Sequence, residues 1–186
     1  YIRGSCFHLS SEMEQIKTRA VIKSILGDIL AKKHMEKIIN EMRPQIIFHA
    51  AAYKHVPIQE LHPWAAVKTN VGGTMNLINL ADKYRVEKFV LVSTDKAVNP
   101  VNVMGATKRL AEKLIQSINI ESKTEFSAVR FGNVIGSSGS AIPTFQKQIN
   151  SGGPVTITHP EMTRYFMSIQ EAAQLILQAG AYGKKG

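Results

Sequence analysis

Three consecutive residues, Thr94, Asp95 and Lys96, offer a hydroxyl, a carboxylate and an amine where an apolar run ends. Together they can bond, donate and accept protons, which is what general acid–base chemistry asks of neighbouring side chains. A turn readily contains Thr-Asp for structural reasons alone, but a Lys beside an Asp at the rim of a sheet is less routine. Met104 and Lys108 follow four apart, the spacing that puts two side chains on one helix face. A lone Met and Lys at that spacing are ordinarily core and surface. His49 and His55 raise a metal reading, yet they are six apart with no Cys partner and no His-rich company. Packing or backbone hydrogen bonding accounts for them better. Ala50, Ala51 and Ala52 would let a flat ligand approach the backbone, and tight helix–strand packing explains them equally well. Asp28 could accept from an amino group of a ligand or cap the helix that follows.

The elements that must position these residues alternate short β-rich runs with helical periodicity, the pattern of a parallel sheet covered by helices. Residues 21–26, "VIKSIL", read as a strand ending at Gly27-Asp28. Met35, Ile38, Ile39 and Met42 predict a helix over 31–43, closed by Pro44. "IIFHA", 46–50, is a second strand, and a helix starting near Pro63 carries Val67, Val71, Met75 and Ile78 on one face. "FVLVS", 89–93, reads as a strand buried on both sides. Leu110, Ala111, Leu114, Ile115 and Ile118 form the core face of the next helix, and "FSAVRF", 126–131, is a fourth strand. The stretch 132–167, rich in Gly, Ser, Pro and Thr, reads as loop and short elements. Ser168 and Glu171 predict a capping box ahead of Ala172, Leu175, Ile176 and Ala179. Ligands of such sheets bind outside the carboxyl ends of the strands. Asp28, residues 50–55, residues 93–96, and Gly132 with Asn133 therefore mark one rim.

A length of 186 residues and 44% hydrophobic content suffice for one globular core. Twenty-three Lys and Arg against fourteen Asp and Glu give +9, which favours an anionic partner such as a phosphorylated ligand. The basic residues are scattered without aromatic interleaving, so a nucleic-acid partner is not expected. The single cysteine, Cys6, cannot form an intrachain disulfide and points to a reducing compartment. No apolar run approaches the roughly 18 residues of a membrane span, and no signal peptide opens the chain.

The ordered blocks "FHAAAYKHVP", "NVGGT", "VSTDKAVNP", "MGATK", "RFGNVIGSSGS" and "MTRYFMS" resemble the extended short-chain dehydrogenase/reductase family from about Asp28 to Gly186. Within it the chain is most similar to the membrane-anchored UDP-N-acetylglucosamine 4,6-dehydratases of capsule and polysaccharide biosynthesis. Their pattern carries Met where soluble relatives keep Tyr in Tyr-x-x-x-Lys. The resemblance implies an α/β fold, a Rossmann-like doubly wound parallel sheet incomplete at its N-terminus. Residues 1–131 would form a truncated NAD(P)-binding domain. Residues 132–186 would form part of a small substrate-binding lobe interleaved with the last Rossmann elements. It also implies NAD or NADP as cofactor, a UDP-sugar substrate and a homo-oligomer. The chain would be a cytoplasmic domain, with attachment to a bacterial inner membrane through segments outside it.

Carried over residue by residue, the resemblance assigns Asp28 and Ile29 to the adenine, and Ala50, Ala51, Ala52 and Lys54 to the cofactor cleft. Asn70 matches the structural Asn of the family's active-site tetrad and falls with the cofactor residues. Lys108 would hold the nicotinamide ribose, Thr94 the sugar 4-hydroxyl. Asp95 matches the acid that protonates the leaving 6-hydroxyl, and Lys96 the base that removes the C5 proton. Asn133, Gly139, Ser140 and Arg164 would hold the diphosphate and uridine, Arg being suited to a pyrophosphate by its two parallel donors. The implied reaction removes hydride from C4, eliminates water across C5 and C6, and returns hydride at C6. Lys96 must then be neutral, with burial or the charge of Lys108 lowering its pKa, and Asp95 must be protonated as the 6-hydroxyl departs. Met104 has no ionisable group, so Asp95, directly or through water, would take the 4-hydroxyl proton.

No Gly-x-Gly-x-x-Gly precedes "FHAAA", so the phosphate loop of the family is not among these residues. A chain lacking it is expected to bind cofactor poorly. Two other readings remain beside the dehydratase: a UDP-sugar epimerase of the same superfamily, in which Lys96 also inverts C5, and a non-catalytic cofactor-binding scaffold. Retention of Thr-Asp-Lys argues against the scaffold, which needs no acid–base pair.

Overall fold

The computed structural model describes residues 21–137, 141–157 and 159–183. Cys6 lies outside them. Helix α1, Lys32–Met42, leads to strand β1, Ile46–His49. Helices α2, Val56–Leu61, and α3, Pro63–Ala66, follow. A π-helical stretch, Val67–Gly73, joins α3 to α4, Thr74–Lys83. Then come β2, Lys88–Thr94, a 3-10 turn, Asp95–Ala97, α5, Val103–Ile118, and β3, Glu125–Phe131. The chain continues through β4, Asn133–Val134, α6, Ala141–Asn150, β5, Phe166–Met167, and α7, Ile169–Tyr182.

β1, β2 and β3 form a parallel sheet in that order, with Ile46 opposite Lys88 and Lys88 opposite Glu125. Parallel neighbours require crossovers, and the helices between the strands supply them. Alternate strand residues face opposite sides. Phe89 and Leu91 of β2 and Phe126 of β3 join Ile39, Leu77, Ala111 and Ile115 in the core beneath α1, α4 and α5. The rings of Phe89 and Phe126 lie 5.3 Å apart. On the other face, Phe48, Val90 and Ser127 stand side by side in register. There α7 packs so closely that a Cβ on Gly180 would lie 2.9 Å from the Phe48 ring. Helices thus cover both faces, as the continuous apolar run of β2 requires. A second, two-stranded sheet pairs β4 with β5.

Three expectations from periodicity change, and one of the two readings of Asp28 falls. Residues 21–26 form no strand: among the described residues no neighbour pairs with them, and Val21 and Leu26 are exposed. A strand exists only through its ladder, so an apolar run alone does not make one. The long helix holds, but its π-helical stretch shifts the buried face to Ala66, Asn70, Thr74, Leu77 and Ile78, turning Met75 outward. In α5, Leu110 is exposed while Ala111 and Ile115 are buried, because the inner stripe runs through Lys108 and Glu112 instead. Asp28 does not cap α1; Ala31 occupies that place, and the Asp28 carboxylate accepts from the Leu30 N–H at 2.8 Å. The capping box of Ser168 and Glu171 forms as expected.

Candidate functional site

The carboxyl ends of β1, β2 and β3 open into one cleft of about 400 Å³. Thr94 ends β2 in extended conformation and caps the 3-10 turn, accepting from the Lys96 N–H. This turn presents Asp95 and Lys96 side by side. Lys96 Nζ donates to Asp95 Oδ1 at 2.9 Å and to Asn133 Oδ1 at 3.1 Å, and the Thr94 hydroxyl donates to the same Asp95 oxygen at 3.0 Å. Partial burial pushes the Asp95 carboxyl up, but the bonds from Lys96 and Thr94 outweigh it and hold the group below the usual carboxylate range. The resting site is therefore an ion pair. That differs from the neutral amine and protonated acid the elimination was expected to need.

Helix α5 lies directly on this turn. Asn102 caps it by accepting from the Gly105 N–H at 2.8 Å, and a Cβ on Gly105 would sit 2.4 Å from the Lys96 carbonyl oxygen. Only glycine allows that approach, which buries Met104 and Lys108 against the cleft. Lys108 Nζ donates to the Val92 carbonyl at 2.7 Å. Burial lowers its pKa to about 8, opposed by the nearby Glu112. Lys108 thus ties the helix to the end of β2 and is not bonded to Lys96.

Glu112, one turn further, is a buried carboxylate that the sequence reading missed. It accepts from Ser93 at 2.6 Å, from Arg130 through two bonds of 2.9 and 2.7 Å, and from Arg109 at 3.2 Å. Burial raises its pKa, and the bonds from Arg130 and Ser93 more than reverse this. The available signal was a Glu on the inward stripe of Lys108, Ala111 and Ile115. The cluster clamps β2 and β3 to α5 just behind Thr94.

Ala50, Ala52, Lys54, Thr94, Lys96, Met104, Lys108 and Asn133 all line the cleft, and Asp95 is bonded to two of them. Ala51, Asp28, Ile29, Asn70 and Arg164 do not. The Asn70 amide is taken up by the protein: Oδ1 accepts from Tyr53 N at 2.7 Å, and Nδ2 faces the Tyr53 carbonyl, Gln59 and Thr107. It fixes the 50–55 loop to α2 and α5 and so acts on the cleft from behind. Ile29 packs against Gly73 and accepts from Asn76 through its carbonyl, away from the cleft. Arg164 is exposed and donates to the Thr163 carbonyl. Gly139 and Ser140 lie outside the described residues. His49 is buried, with its pKa lowered to about 3 by burial and by Lys108. Thr74 donates to the Asn70 carbonyl, so its oxygen accepts from His49 Nε2 at 2.8 Å. His49 is a packed neutral ring bonded to a side chain. Among the described residues no cluster of His, Cys, Asp and Glu could hold a metal, and no helix is long and apolar enough to cross a membrane.

Residues 5–186 match the family described as polysaccharide biosynthesis protein, a match that begins upstream of the Asp28 where the motif resemblance starts. Over 163 residues the chain is 57% identical to the capsular polysaccharide biosynthesis protein CapD of Staphylococcus aureus, covering 87% of this chain and 27% of that protein. It is 40% identical over 168 residues to a UDP-glucose 4-epimerase of Rickettsia bellii, covering 89% and 49%. The chain thus spans about a quarter to a half of the length of these relatives. Pen from Bacillus thuringiensis superposes with a TM-score of 0.87 at 37% identity, over 97% of this chain and 55% of that one. DesIV of Streptomyces venezuelae, a dTDP-glucose 4,6-dehydratase solved with NAD and DAU bound, shares the fold with a TM-score of 0.84 at 18% identity, over 95% and 60%.

Proposed function

The chain belongs to the polysaccharide biosynthesis protein family, and on that premise we propose that the full-length protein is a UDP-N-acetylglucosamine 4,6-dehydratase acting with NAD or NADP. One observation carries the reading: Asp95 and Lys96 stand in contact at 2.9 Å in the cleft that Met104 and Lys108 also line. A binding scaffold has no use for that pair. Ala50 and Ala52 leave the wall without bulk, and Lys108 brings a buried ammonium into it. A flat wall and a donor of that kind fit a nicotinamide and its ribose hydroxyls. When bound, the cofactor supplies hydride removal at C4 and hydride return at C6.

The chain's own residues do the rest. Lys108 holds the ribose, and the Thr94 hydroxyl orients the sugar 4-hydroxyl. Asp95 accepts the 4-hydroxyl proton and delivers it to the 6-hydroxyl as water leaves. Lys96 removes the C5 proton, made acidic by the C4 ketone, and gives it back. Residues 132–186 contribute the uridine diphosphate side, with Arg164 as the pyrophosphate donor.

The epimerase reading is supported by the Rickettsia relative and uses the same cleft. Incubating the full-length protein with UDP-N-acetylglucosamine separates the possibilities: a 4-keto-6-deoxy product is expected, and recovery of only a stereoisomer would establish the epimerase. Lys96→Ala should abolish elimination while leaving cofactor binding intact. Unchanged turnover in that variant would remove Lys96 from the chemistry.

A further inference from the structure

The resemblance places Asn133 on the substrate's diphosphate, yet its side chain meets Lys96. As the ammonium of the resting ion pair, Lys96 Nζ can only donate, so the contact at 3.1 Å fixes the Asn133 carbonyl oxygen toward it. Asp95 takes a second N–H at 2.9 Å. A lysine nitrogen has three positions beyond its carbon, and two are thereby spoken for. Resting on the dehydratase reading, we propose that Asn133 is the positioning residue of the base: with Asp95 it fixes two of the three positions on Lys96 Nζ and directs the third at the substrate's C5 proton.

Three features support this beyond the contact. Asn133 Nδ2 has no acceptor among the described residues, so one amide can hold the amine through its oxygen and meet a substrate oxygen through its nitrogen. The backbone of Asn133 is fixed independently of the ligand, its N–H donating to the Tyr165 carbonyl at 2.7 Å. A Cβ on Gly132 would lie 2.6 Å from that same carbonyl, so glycine permits the close docking of the two segments. β4 and β5 therefore hold Asn133 in register with Phe166, two residues from Arg164. The segment assigned to the diphosphate and the base at the sugar are joined by this short ladder.

The test compares two half-reactions in the full-length protein with UDP-N-acetylglucosamine: solvent deuterium entry at C5, which needs Lys96, and formation of reduced nicotinamide, which does not. Losing a hydrogen bond to a charged group costs about 10- to 100-fold. Asn133→Ala and Asn133→Ser should each lower the ratio of C5 exchange to nicotinamide reduction by about that factor, with UDP affinity measured by calorimetry changing less than about threefold. In a Lys96→Ala background Asn133→Ala should change nothing further. A tenfold loss of UDP affinity with an unchanged ratio would make Asn133 a diphosphate ligand and overturn the inference alone. If the wild-type protein reduced nicotinamide with no C5 exchange, the dehydratase reading would fall and the inference with it.

Discussion

Substituting Gly105 by alanine sets two effects of opposite sign against each other. In an ordinary helix interior the change stabilises by about 1 kcal/mol, because alanine is the better helix former. Here the new Cβ would meet the Lys96 carbonyl oxygen at 2.4 Å, its carbonyl carbon at 3.2 Å and Asn102 Oδ1 at 3.3 Å. Ordinary contact begins near 3.4 Å, so the two backbones must separate by about 1 Å, and neither is the free end of a side chain. Overpacking of this kind costs about 1–3 kcal/mol. The clash should exceed the gain in propensity, leaving a net loss of about 1 kcal/mol and a fall of roughly 2–4 °C in melting temperature. The functional cost is larger. The displaced carbonyl belongs to Lys96, and misplacing a catalytic group by about 1 Å costs about 100-fold in rate. Gly72→Ala is the control, since a Cβ there meets nothing within 4 Å. Thermal unfolding and 4-keto-6-deoxy product formation are measured on both variants. A Gly105→Ala protein as stable as Gly72→Ala, with turnover within threefold of wild type, would refute the claim that this glycine sets the active geometry.

Two predictions concern pH. Lys108 has a folded pKa of about 8 against an ordinary 10.5, so between these values the unfolded chain binds more protons and stability rises with pH, by on the order of 3 kcal/mol. Below about 8 both states are charged and the fold carries the full burial penalty; Lys108→Met should remove the rise in denaturant-measured stability, and an unaltered slope would assign it to another group. The Asp95 carboxyl, in turn, should release its proton below the ordinary carboxylate value of about 3.9, because the bonds from Lys96 and Thr94 hold it ionised; an Asp95 carboxyl carbon resonance titrating at or above that value would remove those bonds from the account.

The sequence made the sheet legible because β2 and β3 are apolar runs long enough to be strands and short enough not to be helices. It made the Asp95–Lys96 contact at the cleft legible because the two residues directly follow one of them. Periodicity failed where backbone irregularity or an unseen partner decides. The π-helical stretch carries Asn70, whose amide meets Tyr53, Gln59 and Thr107 at once, a three-way contact that spacing does not encode. A hydrophobic pattern puts Leu110 inward because it ranks apolar residues above charged ones, whereas Arg130 and Ser93 make the inward Glu112 tolerable. Residues 21–26 read as a strand because propensity is local and pairing is not. The Asn133–Lys96 contact joins residues 37 apart in sequence, beyond the reach of any motif.

Met104 alters the proton balance of the proposed reaction. Across the proposed reaction the 4-hydroxyl proton ends in the released water, while the C5 proton is removed and returned. Asp95 can carry the first only if it begins ionised, and Lys96 can carry the second only if it begins neutral. The ion pair at rest holds one proton more than that state. Moving it along the 2.9 Å bond would make a neutral amine and a protonated acid, but the acid could then no longer accept from the 4-hydroxyl. The surplus proton must therefore leave the pair, and the Lys96 side chain, 28% exposed, gives it a route to solvent. A tyrosine at position 104 would have offered a separate acceptor for the 4-hydroxyl proton and relieved Asp95 of one task. With methionine there, both tasks fall on one carboxylate, and the ionised state that Thr94 and Lys96 impose on Asp95 becomes a requirement of the first step.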